Sequence, residues 1–277
     1  MASVSGRCEY AEARHVVQRG RQVETRSGAV ERASDTASEG IGVRVRHEGG
    51  WGFAATSDPT RAGAERAFER ALAIAVAQPS AAGRPLAPVA PASGHWESAC
   101  ERDPFEVSLE EQCELLLAAD SAMRGDPRIA RTGAHCMALR THKALATTEG
   151  TACTQVLTEC GGGIQAVAVA DSEVQQRSYP SQHDGNAAAA GWEYVLALGL
   201  PGEAPRVAEE AVALLTAPPC PAGVTTVILH DEQLALQVHE SIGHALELDR
   251  MLGDEAAYAG TSWVSPADLG SLRYGSD

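Results

Sequence analysis

Aromatic residues are scarce in this 277-residue chain, at 4%, so its core must rest on alanine, valine and leucine. No two of the seven cysteines, at 8, 100, 113, 136, 153, 160 and 220, form a CxxC pair, and their number is odd. Such a set reads as reduced thiols of a cytoplasmic protein. The opening MASVSGRCEYAEARH is polar, so no secretory leader is expected. Apolar runs are short or broken by Pro and Gly, which excludes a transmembrane span. Basic residues are in deficit, 22 against 37 acids, for a net charge of -15. That surface repels nucleic-acid phosphates and anionic lipid heads, so neither nucleic acid nor membrane is an expected partner. It is compatible with a peptide substrate without selecting one.

What remains is ordinary for a globular protein, with 44% hydrophobic and 21% charged residues. The pattern predicts an α+β fold: an N-terminal domain of antiparallel strands with packed helices over residues 1–220. A metal-helix segment follows at 221–277, the truncated start of a C-terminal catalytic region. Glu9 to Gln18 and Gln22 to Arg26 read as two short paired strands. Gly40 to Thr56 reads as a hairpin turning at Gly49-Gly50, since its residues alternate. A helix to about Ala77 follows, capped by Asp58 or Ser57, with Ala64, Ala67, Phe68, Ala71, Leu72 and Ile74 as its apolar stripe. Pro79 to Gly94 reads as a surface crossing. Ser108 opens a second helix with a capping-box pattern to Glu111. Three strand segments are expected between Ile129 and Ala170, an exposed loop at Ser178 to Trp192, and a helix at Glu203 to Leu215. Val224 to Leu229 has the composition of a buried strand.

Asp231 then begins a helix that carries His239-Glu240-Ser241-Ile242-Gly243-His244. Two imidazoles and a carboxylate on one short helix are the donor set of a hydrolytic zinc site. The rings hold the ion, and the glutamate beside the first can take a proton from water. Zinc peptidases usually space the histidines four apart; here they are five apart. At about 100° per residue, a regular helix would turn the second ring roughly 140° from the first. A π-type turn would bring them back into line, and Gly243 offers a permissive backbone to absorb it. The competing reading is two ordinary helix histidines, one buried and one wet.

The run from His239 through Glu247, Asp249 and Gly260-Thr261-Ser262 resembles the TldD/PmbA metallopeptidase family. So do the Gly42 to Thr56 hairpin and the Arg177 to Pro180 turn. The resemblance implies a zinc-dependent peptidase acting on flexible or unfolded peptides inside a closed cavity of a homodimer or of a heterodimer with a paralogue. His239 and His244 would be metal ligands and Glu240 the general base and acid. It also implies a third ligand, a cysteine from a β-rich C-terminal domain. No cysteine follows Cys220, which sits among prolines. The expectation is therefore a truncated product, a gene fragment or one half of a split enzyme. The alternative is a non-catalytic scaffold or binding subunit, or an inactive fragment.

Other signals are weaker. Gly161-Gly162-Gly163 reads as a turn or bulge rather than a phosphate loop, because no Lys-Ser/Thr follows. His183-Asp184 could approach substrate or be loop polarity. Ser262 and Ser265 lack the surroundings of a nucleophile. Glu247 and Asp249 could each orient a ligand imidazole or be solvated helix charges.

Overall fold

Two long antiparallel partners hold the first strand extended along its whole length. In the computed structural model, which describes residues 6–78 and 84–273, β1 (Tyr10–Arg26) pairs with β2 (Ala29–His47) on one edge and with β5 (Ile129–Thr147) on the other. The two short strands expected at Glu9 to Gln18 and Gln22 to Arg26 are therefore one. Gly20 is there for closeness: a Cβ would lie 2.7 Å from the Thr36 hydroxyl oxygen on β2. The β1–β2 register slips once, at Glu24/Thr25, leaving Glu31 as a bulge.

β2 turns back into β3 (Gly50–Thr56) through Glu48 and Gly49, whose φ angles are +47° and +75°. Two left-handed residues in succession make the turn whose twist suits a hairpin, centred one residue before Gly49-Gly50. Helix α1 (Arg61–Ala77) packs directly on β3. A Cβ on Gly52 would fall 1.9 Å from the Ala71 carbonyl oxygen. Thr60, not Asp58 or Ser57, caps this helix by accepting from the Gly63 N–H, while Asp58 accepts from the Thr60 N–H. Ala67, Phe68, Ala71 and Ala75 close over Ala11, Ile41, Val43, Val45 and Ala54 as one small core. Ile74, placed in the apolar stripe, is 39% exposed.

Within the Pro-rich crossing, residues 79–83 lie outside the described set. Its end is β4 (Ser93–Glu97), a strand the composition concealed. Helix α2 (Leu109–Met123) starts as read, with Ser108 accepting from the Glu111 N–H. β5 and β6 (Ala152–Ala170) are two unbroken strands rather than three segments. The triple glycine is the interior of β6, neither turn nor phosphate loop. A Cβ on Gly161 would lie 2.3 Å from the Asn186 carbonyl oxygen, and one on Gly163 2.6 Å from the Gly185 Cα. Bare backbone at these positions admits β8 (Asn186–Ala188) and the loop before it. The outer edge of β6 thus carries three partners in succession: β4 in parallel, then β8, then β7 (Glu173–Tyr179), both antiparallel. The expected exposed loop after Ser178 is partly strand for this reason.

The sheet order is β3-β2-β1-β5-β6-β4, with β7 and β8 also on β6. Against it lie α2, a short α3 (Trp192–Ala197) and α4 (Leu200–Leu214). Leu116, Met123, Ile164, Trp192, Leu200 and Val207 form the main core, and the fold is α+β. Cys136 and Cys160 lie inside it, and burial pushes each thiol up to about 12.

The chain separates into two compact units, meeting at Ala217 and Pro218. In the second, Val224 to Leu229 is not a strand: Val227 is 67% and Ile228 95% exposed. An apolar run becomes a buried strand only where another element covers it, and among the described residues of this unit none pairs with it. No described helix is long and apolar enough to cross a membrane.

Two outcomes are expected. Gly52→Ala should lower unfolding free energy by about 1–3 kcal/mol, the usual cost of overpacking, measurable by urea denaturation. Alkylation near pH ~8, followed by mass spectrometry, should label exposed Cys220 while Cys136 and Cys160 react only after unfolding.

Candidate metal centre

Helix α5 (Asp231–Val238) begins after His230 with Asp231 and Glu232 in its first turn, where carboxylates meet the positive end of the backbone dipole. Its last bonds are regular, with the His239 N–H donating to the Ala235 and Leu236 carbonyls. The next turn is not. His239–Gly243 is a π-helical turn, in which the His244 N–H donates to the His239 carbonyl five residues back. A tight turn, His244–Leu246, follows at once.

The wider ring of backbone atoms draws the imidazoles together. Their centroids are 4.4 Å apart, edge to face at 79°. Glu240 lies between them, its carboxylate oxygens 3.9 Å from His239 Nε2 and 3.8 Å from His244 Nε2. One donor atom from each of the three residues falls within 4.8 Å of the others. Among the described residues this is the one group of three or more such side chains close enough to share an ion. Gly243 is not what permits it. Its φ and ψ are -55° and -58°, ordinary for a helix, and a Cβ there would meet only the Val238 carbonyl at 3.7 Å.

Glu247 and Asp249 separate into different tasks. His244 Nδ1 lies 2.9 Å from Glu247 Oε1, and Arg250 Nε lies 2.6 Å from the other carboxylate oxygen. The hydrogen bond from His244, with the Arg250 charge beside it, holds the Glu247 carboxyl below the usual range. A carboxylate accepting from Nδ1–H fixes the tautomer and leaves Nε2 with its lone pair free. Asp249 accepts from the Arg250 N–H and does not reach either ring. Arg250 is the participant that motif reading passed over; its place three residues after Glu247 is the signal that was available. Ser262 donates its hydroxyl to the Ala245 carbonyl at 2.6 Å, and Ser265 closes a turn on Asp268. Both serines serve local backbone structure. Cys220 is exposed and outside the cluster, and His183 and Asp184 belong to the first unit.

Two domains described for one family match this sequence: PmbA/TldA metallopeptidase domain 1 over residues 11–75, and the central domain over residues 102–217. The chain belongs to the PmbA/TldD metallopeptidase family. The matched domains stop short of the histidine-bearing helix, but relatives carry the likeness across it. A metalloprotease of Methanothermobacter thermautotrophicus is 26% identical over 94% of this chain and 55% of its own length. One from Methanocaldococcus jannaschii is 24% identical over 96% and 61%. Among solved structures, a candidate modulator of DNA gyrase from Thermotoga maritima superposes with a TM-score of 0.58 at 16% identity, over 77% of this chain and 46% of that one. TldE from Thermococcus kodakarensis gives 0.55 at 15%, over 74% and 44%. These likenesses establish the fold of a PmbA/TldD protein. The chain spans about half the length of the curated relatives it matches.

The tautomer is open to direct measurement. Long-range ¹H–¹⁵N spectra should show His244 protonated at Nδ1, and Glu247→Ala should raise the Nε2-protonated fraction.

Proposed function

We propose that this PmbA/TldD protein is a zinc-dependent peptidase subunit in which His239 and His244 hold the metal and Glu240 is the general base and acid. The observation that carries this reading is the π turn, because it converges three donor side chains that a regular helix would separate. The donor set fits zinc: two neutral imidazoles presented through nitrogen, one held by Glu247, with a carboxylate alongside. Zinc, when bound, supplies Lewis acidity that polarises a peptide carbonyl and makes water a better acid. The protein's own groups do the rest. Glu240 takes a proton from the attacking water and returns it to the departing amine nitrogen. Glu247 keeps the His244 ring from rotating or changing tautomer, with Arg250 holding Glu247.

Two imidazoles are one short of the usual three protein ligands, so the reading includes a further ligand from polypeptide beyond the matched half. Flexible or unfolded peptides are the substrate class that the resemblance to the family implies. The assembly would be a dimer, with a copy of itself or a paralogue. Seven free cysteines support a reducing, cytoplasmic setting.

Metal analysis and peptide cleavage by the chain, alone and co-expressed with the remaining half of a relative, test this. Glu240→Gln should retain zinc and cut cleavage by about 10²–10⁴-fold, while His244→Ala should lose both. Failure to bind stoichiometric zinc in either setting, or cleavage indifferent to Glu240→Gln, would leave a binding subunit as the better description.

A further inference from the structure

The glycines of the long strands differ in what their missing side chain makes room for. At Gly161 and Gly163 it is protein backbone. At Gly133 on β5 an added Cβ would meet the Thr25 carbonyl oxygen at an ordinary 3.6 Å. No close approach requires glycine there. The bare backbone is instead the floor of a cavity of about 340 Å³, a size that suits a small ligand.

The walls come from the side of the sheet away from the main core. Val23, Ala134, Cys136 and Ile164 belong to that core, and the residues alternating with them point the other way. On that side Gly133 stands between Arg26 of β1 and Gln165 of β6, with Arg131 and His135 two residues to either side along β5. The roof is the loop that lies on Gly163. Ser181 fastens it by donating to the Gly185 carbonyl at 2.7 Å. A Cβ on Gly185 would fall 2.9 Å from His135 Nε2, so loop and ring are in close approach. Asp184, at φ +66°, takes a left-handed conformation that aspartate tolerates better than most residues. It lines the cavity together with Arg131 and His135.

Some charges here are already matched. Arg26 lies 2.9 Å from Glu31, and Glu24 accepts from Gln22 at 2.6 Å. Arg131 and Asp184 are not. Arg131 is exposed and reaches Gln165 through one long bond of 3.4 Å. The Asp184 carboxyl is half-buried, and among the described residues it makes no hydrogen bond or ion pair, with Arg131 or any other. Burial holds that carboxyl above its usual range, against the pull of His135 and Arg131. A guanidinium and a carboxyl thus share one cavity, each short of a partner. An anion would satisfy Arg131 and be repelled by Asp184, and a cation the reverse. A molecule carrying both signs close together satisfies both.

We propose that this cavity binds a free α-amino acid as its zwitterion, with the carboxylate on Arg131, the ammonium on Asp184, and Gly133 leaving room for the side chain. The site lies wholly in the first unit and does not rest on the peptidase reading.

The test uses the full chain. The standard L-amino acids are screened by saturation-transfer NMR, and the strongest binder is titrated beside its N-acetyl and carboxamide forms. Each blocked form should bind about tenfold or more weakly, since each loses a charge-assisted contact. Arg131→Gln should weaken the free amino acid by a similar factor and leave the carboxamide form as it was. Asp184→Asn should do the same and leave the N-acetyl form as it was. Gly133→Val should fill the floor and abolish binding. Should any variant fail to fold, the blocked ligands on the unsubstituted chain still decide. Absence of binding by every amino acid, or a blocked form that binds as well as the free one, overturns the proposal. So does binding that the folded variants leave intact, as a probe chelated to an ion on the histidine helix would.

Discussion

One hydrogen bond, from the His244 N–H to the His239 carbonyl, sets the geometry of the histidine helix. Had that carbonyl kept the partner of a regular helix, the two rings would face directions roughly 140° apart. Opening the turn by one residue brings them to 4.4 Å. The chain then tightens, with the Glu247 N–H reaching back to the His244 carbonyl. Under-winding is thus followed directly by over-winding. This succession puts Glu247 where its carboxylate meets His244 Nδ1. The same local irregularity therefore both converges the rings and orients one of them.

The larger unit depends on a different economy, that of missing side chains. Gly52 lets α1 rest on β3, and Gly161 and Gly163 let β8 and its loop rest on β6; a single Cβ at any of them would collide with backbone. Two of the scarce aromatics each meet several partners. Trp192 is buried in the main core. Phe105 gathers the guanidinium groups of Arg19, Arg21 and Arg140 at 4.4, 5.9 and 5.2 Å, an arrangement suited to planar arginine more than to lysine.

Much of this was legible from residue order. The hairpin, the helix opened by Ser108, the α+β class and the need for a π turn all follow from short-range patterns, which local chemistry enforces. The errors share a cause. Gly20 and Gly161-Gly162-Gly163 look like punctuation because glycine is permissive, yet in this fold they are contact points in long strands. That distinction depends on residues such as Thr36 and Asn186, distant in sequence. β4 was hidden by prolines and glycines, and its pairing is supplied by β6. Val224 to Leu229 failed in the opposite sense, having strand composition but no covering partner among the described residues of its unit. At the site, Gly243 drew attention as the yielding residue, whereas the distortion is carried by which carbonyl is bonded and not by an unusual φ.

Stability offers little reason for the histidine arrangement. An edge-to-face ring pair contributes about 0.5–1.5 kcal/mol beyond its buried area, and here little area is buried. The His239 side chain is 60% and Glu240 61% exposed, and only His244, at 27%, is half-buried. A helix interrupted for packing would direct its irregular side chains inward. This one converges two imidazoles and a carboxylate at an open surface, and braces one ring from behind with a carboxylate that is itself held by Arg250. Such bracing has a purpose where the far nitrogen must be kept free and aimed. That is the requirement the proposed ligation would impose.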